Sequence, residues 1–296
     1  MNKIKSLFIG IYPMYAMGVS AYATYSINLH GFNYIWVGAI LITLPLLIFF
    51  TRLMVFQYTP RTSEHLPFLT ILALLGMGFS SYGFYRSEMT EIVAFCITLI
   101  GFLTFFLYNF WYSSLGRTSH HKLEIGKLLP NFKVTDIKGE TLKSSSFVGT
   151  PLILMFFRGN WCPLCMAQVK EIANLYKRID DLGANVALVA PQPEKNTQKL
   201  AKKHDVPFIF LTDKDNHAAK ILGIEMKNGL PAGMEVLGYD KDTVYPTLII
   251  TDKEGKIVYT DFTNNYRIRP DPEDFLKVLE QIKTLGKMKV NIFANA

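Results

Sequence analysis

Charge is what this sequence has least of, and the shortage is local. No Asp, Glu, Lys or Arg occurs between Lys5 and Arg52. Residues 1–116 carry 5 basic and 3 acidic side chains, whereas residues 117–296 carry 26 and 21. That division excludes a single ordinary soluble domain, a disordered chain and a fibrous repeat. It points to a membrane part followed by a soluble part. Cysteine is scarce too, at three in 296 residues. Only Cys96 lies in the apolar part. A dithiol relay needs a pair able to form a disulfide, so the first 116 residues cannot pass two electrons through their own cysteines. Apart from Arg52 near an end, no charged residue lies well inside an apolar run, which weakens the case for an ion or proton pathway. No phosphate loop, dinucleotide fingerprint or Ser-His-Asp order stands out.

What the first 116 residues do contain is four apolar runs. The charge-free stretch is long enough for two membrane spans of about 20 residues each, with a break at the polar, turn-prone 28–33. The spans are expected near 7–29, 35–56, 68–85 and 92–112. They are apolar all round rather than striped, unlike core helices of a soluble protein. Tyr34, Trp36, Tyr58, Tyr85, Tyr108, Trp111 and Tyr112 gather near their ends, as interfacial rings do. Small residues at Ala16, Ser20 and Thr24, and at Gly76 and Ser80, allow close helix packing. Cys96 reads as a small packing residue. Lys3, Lys5, Arg52, Arg61, Arg117 and Lys122 fall on one side of this topology and only Arg86 on the other. The positive-inside rule then puts both termini in the cytoplasm. The expectation is an integral protein of a bacterial inner membrane, in contact with lipid, with its soluble part cytoplasmic; a periplasmic soluble part is the alternative. A second reading of the N-terminus is a signal peptide, with Met1–Lys5 basic, Leu7–Val19 apolar and Ala21-Tyr22-Ala23 as cleavage site.

Residues 117–126 form a linker within the polar connector Ser113–Gly126, where His120 and His121 suggest a solvated juxtamembrane segment better than a metal site. Residues 127–296 alternate short apolar runs with charged helical stretches. A hairpin is expected over 132–142, buried strands at 151–157, 185–190 and 207–211, and helices at 162–182, 193–204 and 216–222. A second hairpin spans 247–261. Asp271 caps a last helix with Pro272 at its first position. The whole is a four-span α-helical transmembrane bundle followed by an α/β domain. The basic face Lys195, Lys199, Lys202 and Lys203 reads as solvated, with no nucleic-acid partner expected. Asn228–Asp242 reads as an insertion able to border a cleft.

The chemical centre is Arg158-Gly159-Asn160-Trp161-Cys162-Pro163-Leu164-Cys165, directly after a buried strand and opening a helix. Two residues between cysteines allow a disulfide within one helical turn. The first cysteine lies at the helix N-terminus, where free backbone N–H groups stabilise a thiolate. Pro163 is tolerated in the first turn, and Trp161 can shield one side of the sulfur. Cys162 is therefore the expected attacking thiol and Cys165 the resolving one. Structural zinc needs about four ligands, and c-type haem needs His after the second cysteine, where Met166 stands. No metal and no other cofactor is expected.

These residues resemble the thioredoxin-fold superfamily, and more closely the peroxiredoxin-like branch of the alkyl hydroperoxide reductase/thiol-specific antioxidant family. The resemblance covers about Ile125 to Ile282. It is carried by Phe156–Cys165, Leu188–Glu194, Phe208–Asp213, Tyr245–Gly255 and Tyr266-Arg267-Ile268-Arg269-Pro270. It implies thiol chemistry at Cys162 and a proline beside the active site, which falls on Pro246. In the wider superfamily that proline is cis, which would set the backbone of Tyr245 and Thr247 against the sulfur. Two features depart from the family pattern. Gly159 stands where Thr or Ser is usual, and the arginine expected near Thr247 is absent, with Arg158 as a candidate substitute. The implied activity is reduction of hydroperoxides or protein disulfides, with a thiol reductant such as thioredoxin or glutathione restoring the dithiol. A non-enzymatic membrane redox sensor or partner-binding module, using a reversible Cys162–Cys165 disulfide, is the alternative. A reporter fused after Ala296 should be active only when the reporter is of the cytoplasmic type; activity of a periplasmic reporter there would reverse the topology.

Overall fold

The computed structural model describes residues 2–56, 61–117, 122–204 and 206–285. Tyr58, His120 and His121 and the last stretch 286–296 lie outside the described residues. Four helices come first: α1 (Asn2–His30), α2 (Tyr34–Phe56), α3 (Pro67–Arg86) and α4 (Ile92–Phe106), the last continuing as a π-helical turn over Leu107–Tyr112. Among the described residues, three stretches are long and apolar enough to cross a membrane: Tyr34–Val55, Pro67–Arg86 and Ile92–Tyr112. Their outward faces expose large apolar groups such as Ile48, Met54, Phe68, Leu74, Val93 and Leu103. α1, with lysines near its start and several tyrosines and serines, falls outside that set, although Leu7, Ile11 and Met14 are exposed on it in the same way.

Small residues bring these helices together. A Cβ added to Gly38 on α2 would lie 2.3 Å from the Gly76 carbonyl oxygen, and one added to Gly76 would lie 2.6 Å from that of Gly38. Ser80 packs at the same crossing, fully buried. Ser20 and Thr43 share a hydroxyl–hydroxyl bond of 2.7 Å between α1 and α2. The pattern of Gly76 and Ser80 thus marks a real helix contact, where backbones approach because no side chain intervenes. Cys96 does not pack as expected. It is exposed on α4, two positions from each of the buried residues Ala94 and Thr98.

The soluble part is an α/β sheet of seven strands in the order β2-β1-β5-β4-β3-β8-β9. β1 (Lys133–Asp136) and β2 (Thr141–Lys143) form the first hairpin. β3 (Leu152–Phe156), β4 (Asn185–Ala190) and β5 (Ile209–Thr212) run parallel at the centre. Their side chains are buried on both faces, as continuous apolar runs require when helices cover both sides. Helices α5 (Pro163–Asn174), α6 (Tyr176–Asp181), α7 (Glu194–Lys203) and α8 (His217–Leu222) connect them. β6 (Glu225–Met226) pairs with β7 (Thr243–Val244) as a small second sheet at the base of the insertion. β8 (Thr247–Thr251) lies antiparallel to β3, and β9 (Ile257–Asp261) closes that edge. α9 (Pro272–Leu285) follows, its first turn capped by Asp271, whose carboxylate accepts from Glu273 N–H at 3.0 Å. The single helix expected over 162–182 is broken at Leu175, whose backbone leaves the helical angles.

The connector differs from a solvated linker at its start. Ser113 and Leu115 are buried because their backbone pairs with the loop after β9: Leu115 N–H donates to Asn264 O at 2.6 Å and Tyr266 N–H to Ser113 O at 3.0 Å. That loop also carries Arg267, which is 0% exposed. Its guanidinium donates to Ser113 Oγ (3.1 Å), Glu64 O (2.8 Å) and Asn109 Oδ1 (2.9 Å) and stacks over the Tyr108 ring. Arg61 reaches the other way, to Glu171 on α5 at 2.7 Å and to Pro270 O. The sheet domain is thereby seated on one end of the helix bundle. Gly38→Leu is expected to force α2 and α3 apart and cost about 2 kcal/mol of stability, read as a lower melting temperature of the detergent-solubilised protein. Gly78→Ala, where no atom lies within 4 Å, should change little.

Candidate active site

The site begins where β3 leaves the sheet. Phe157 still pairs, donating to Val189 O at 3.0 Å. Arg158-Gly159-Asn160-Trp161 then turns the chain. Gly159 has φ +135°, and a Cβ there would meet the Trp161 ring at 3.0 Å, so this position admits glycine rather than the Thr or Ser of the family pattern. Asn160 N–H donates to Gln192 Oε1 at 2.8 Å, fastening the turn to the β4 end. Cys162 follows as the N-cap of α5, with Pro163 at the first helical position. Its sulfur accepts from Cys165 N–H at 3.3 Å. Sequence reasoning placed both cysteines and Pro163 here for the same physical reason: the helix start supplies unpaired donors, and proline fits where none is needed.

Both thiols are free and buried, Cys162 being 3% exposed and Cys165 0%. Burial pushes the Cys162 thiol well up, and its hydrogen bond with Cys165 adds to that, against the pull of the Arg158 and Arg269 guanidiniums. Burial also acts to raise Cys165. There the hydrogen bond from Cys162 and the Arg269 guanidinium, with smaller help from Arg158, outweigh it and bring the thiol down to about 6. The pair shares a single hydrogen bond, so one early and one late ionisation belong to the pair rather than to either sulfur. Negative charge is best placed at the helix N-terminus, on Cys162, when a substrate draws on it.

Arg158 follows directly after β3 and the Phe157 pairing. It is buried, with its guanidinium 5.6 Å from the Trp161 ring centre and 5.9 Å from that of Tyr266, and with Nη2 donating to Met226 Sδ at 3.1 Å. Arg269 is buried beside it; its Nε and Nη2, like Arg158 Nε, meet no acceptor among the described residues. Arg117 joins this cationic cluster: burial lowers it to about 10, with Asp261 opposing and Arg269 and Arg158 assisting. Buried guanidiniums near a sulfur pair favour anionic sulfur or oxygen, because little water competes.

On the β8 side the superfamily expectation fails in one respect. The described residues contain no cis peptide bond, so Tyr245–Pro246 is trans. The Pro246 carbonyl accepts from Arg117 Nη2. Tyr245 N–H is taken by Ile224 O (2.8 Å) and Tyr245 O by Thr247 Oγ1 (2.8 Å). These groups serve the local fold rather than the sulfur. Thr247 is nonetheless close in register, pairing with Phe156 at the end of β3.

Four participants were not singled out from sequence: Arg269, Arg117, Tyr266 and Tyr112. Arg269 and Tyr266 stand in the family-like segment Tyr266–Pro270, which was the available signal. Tyr112 arrives from the helix bundle and meets Tyr266 edge-on, with ring centres 5.4 Å apart. Among the described residues no group of three or more His, Cys, Asp or Glu is arranged to hold a metal ion.

Residues 125–260 match the profile of the AhpC/TSA family. The chain is similar to a thiol-disulfide oxidoreductase ResA of Bacillus thuringiensis subsp. konkukian (strain 97-27), 28% identical over 174 residues, which cover 58% of this chain and 87% of that protein. It is similar to peroxiredoxin Bcp of Bacillus subtilis (strain 168), 26% identical over 137 residues, covering 46% of this chain and 83% of that one. A crystal structure of peroxidoxin BcpB from Mycobacterium tuberculosis superposes with a TM-score of 0.44 at 18% identity, over 54% of this chain and 98% of that one. Replacing Arg269 by Met removes a positive charge, so it should raise the lower thiol pKa above about 6. The sign follows because a cation favours the thiolate. Ultraviolet titration of thiolate absorbance in the full chain measures it.

Proposed function

With residues 125–260 forming a peroxiredoxin-like domain of thioredoxin fold, we propose that this protein is a membrane-anchored thiol oxidoreductase working through the Cys162–Cys165 pair. The four helices over residues 2–112 serve as four spans, α1 included, with the redox domain on the cytoplasmic side of a bacterial inner membrane. Residues 117–126 link the bundle to the domain over 127–296. The observation that carries the reading is the dithiol at the start of α5, with Cys162 Sγ as the helix cap and buried guanidiniums around it.

The reading with a hydroperoxide as substrate is favoured by burial: a small molecule can reach a sulfur that is 3% exposed, whereas a folded protein disulfide cannot while the bundle sits over it. Cys162 thiolate attacks one peroxide oxygen. The O–O bond breaks, the second oxygen leaves as alkoxide or hydroxide and takes up a proton, and Cys162 becomes a sulfenic acid. Arg158 and Arg269 stabilise the charge on the leaving oxygen. Cys165 sulfur then attacks the Cys162 sulfur and water leaves, giving the disulfide. An external thiol reductant such as thioredoxin or glutathione returns two electrons and two protons. Thiol–disulfide exchange with a protein is the second reading, favoured by the Cys-Pro-x-Cys spacing at a helix start; it requires the bundle to move aside.

Turnover of hydroperoxide and of a disulfide protein by the full chain separates the two. Cys162→Ser is expected to abolish consumption of peroxide, a loss of several orders of magnitude as for removal of a covalent nucleophile. Cys165→Ser should consume one equivalent and stop at the sulfenic acid, detectable by a dimedone adduct. Disulfide reduction without peroxide turnover would replace the peroxidase reading by the exchange reading. A reversible disulfide with neither turnover would leave a sensor.

A further inference from the structure

The end of α4 does something unusual for an anchor. Over Leu107–Tyr112 the helix widens to a π turn, with Ser113 N–H donating back to Tyr108 O at 3.1 Å. A single inserted residue in a helix rotates everything after it by about 100°, and such turns recur at functional sites. Here the rotation carries Tyr112 away from the lipid-facing rows and onto the redox domain. Its ring meets Tyr266 edge-on, at 5.4 Å and 78°. Its side chain and that of Arg158 line the same small cavity. The neighbouring rings are anchored elsewhere: Tyr108 and Tyr266 share a hydroxyl bond of 2.7 Å, and Lys5 of α1 donates to Ser114 O. Tyr112, Tyr266, Lys5 and Arg158 all line this cavity of about 10 Å³ at the seam, room for one water-sized molecule.

Resting on the thiol reading above, we propose that Tyr112, a residue of the membrane bundle, is a positioning residue of the thiol site: its hydroxyl accepts from the Arg158 guanidinium and holds that cation toward the Cys162 sulfur. Arg158 needs such a holder. Its one side-chain hydrogen bond otherwise goes to a thioether, a weak acceptor, and its Nε has no partner among the described residues. The bundle therefore completes the active site rather than only tethering it.

The test uses the full chain in detergent, with Cys165→Ser to leave one site thiol, and follows the rate of Cys162 alkylation against pH. Tyr112→Phe keeps the ring and removes the acceptor. It should move the profile to higher pH, with alkylation below the midpoint slower on the order of tenfold, one unit of thiol pKa. Tyr108→Phe removes a hydroxyl that bonds Tyr266 alone and should leave the profile in place. In an Arg158→Met background the Tyr112→Phe shift should vanish, since coupled residues are not additive. 4-Aminophenylalanine at 112 preserves shape while offering a poor acceptor, so it should behave like Phe and serves if Phe is not recovered folded. A Tyr112→Phe profile that overlays the parent, or a shift equal to that of Tyr108→Phe, or one that persists without Arg158, overturns the proposal. Its failure is distinct from failure of the thiol reading, in which Cys162→Ser would leave turnover intact.

Discussion

One buried cation organises this molecule. Arg267 is sealed between the sheet domain and the helix bundle, and among the described residues every acceptor it meets is neutral: the carbonyls of Ser63, Glu64 and Asn109, the Asn109 side chain and the Ser113 hydroxyl. A guanidinium without a carboxylate tolerates burial only while all those dipoles point at it. The acceptors come from the α3-preceding loop, the π turn and the connector, and the arginine from the loop after β9. Sliding the domain on the bundle would strand a full charge in a dry interface, so the two parts meet in one register. The Arg61–Glu171 pair, about a quarter exposed on each side, adds direction but is screened by solvent and contributes less.

The location of the dithiol follows from that register. Leu53 and Phe49 of α2 pack into the same apolar cluster as Cys162, Leu164 and Phe157. The cysteine pair thus lies beneath the bundle instead of at an open domain surface. Enclosure has two opposite electrostatic effects. Desolvation disfavours a thiolate, and lower effective dielectric strengthens each guanidinium that faces it. Arg158 and Arg269 both pull the thiols toward the thiolate, and at Cys165 they do so together with the hydrogen bond from Cys162. The departures from the family pattern then become intelligible. Gly159 is demanded by a left-handed turn against Trp161, and where no arginine stands near Thr247 in sequence, Arg158 and Arg269 are buried beside the thiols from other segments.

Most of this fold was legible before the structure. Charge depletion and all-round apolarity are bulk properties, so the four helices emerged close to their expected limits. The Cys-Pro-Leu-Cys turn was legible because its chemistry is local: a strand end, a helix start and a proline that fits only there. What escaped was whatever depends on contact between distant segments. Arg158 was legible as a candidate beside the cysteines, but its burial comes from the arrival of Met226 and Tyr266. Arg267 and Arg269 differ by two positions yet serve the interface and the thiols respectively, a distinction that alternation in an irregular loop does not encode. Ser113 and Leu115 read as solvated because their burial comes from backbone pairing, which has no side-chain signature. The π turn is invisible for the same reason, since no residue type demands it.

The bundle has no dithiol pair of its own, and its value to the chemistry is therefore physical rather than redox. A peroxide-reducing thiol must be reactive toward a small oxidant and protected from larger thiols and disulfides. Burial against helices provides the protection. It would normally forfeit reactivity by raising the thiol pKa, and the clustered guanidiniums restore it. Those cations in turn repel one another, as the lowering of Arg117 by Arg269 and Arg158 records. Aromatic faces of the domain hold two of them in place: Trp161 and Tyr266 against Arg158, and Tyr245 against Arg117. A soluble thioredoxin fold with an open site has no surface on which to build that enclosure. Seating the domain on the end of a helix bundle supplies one.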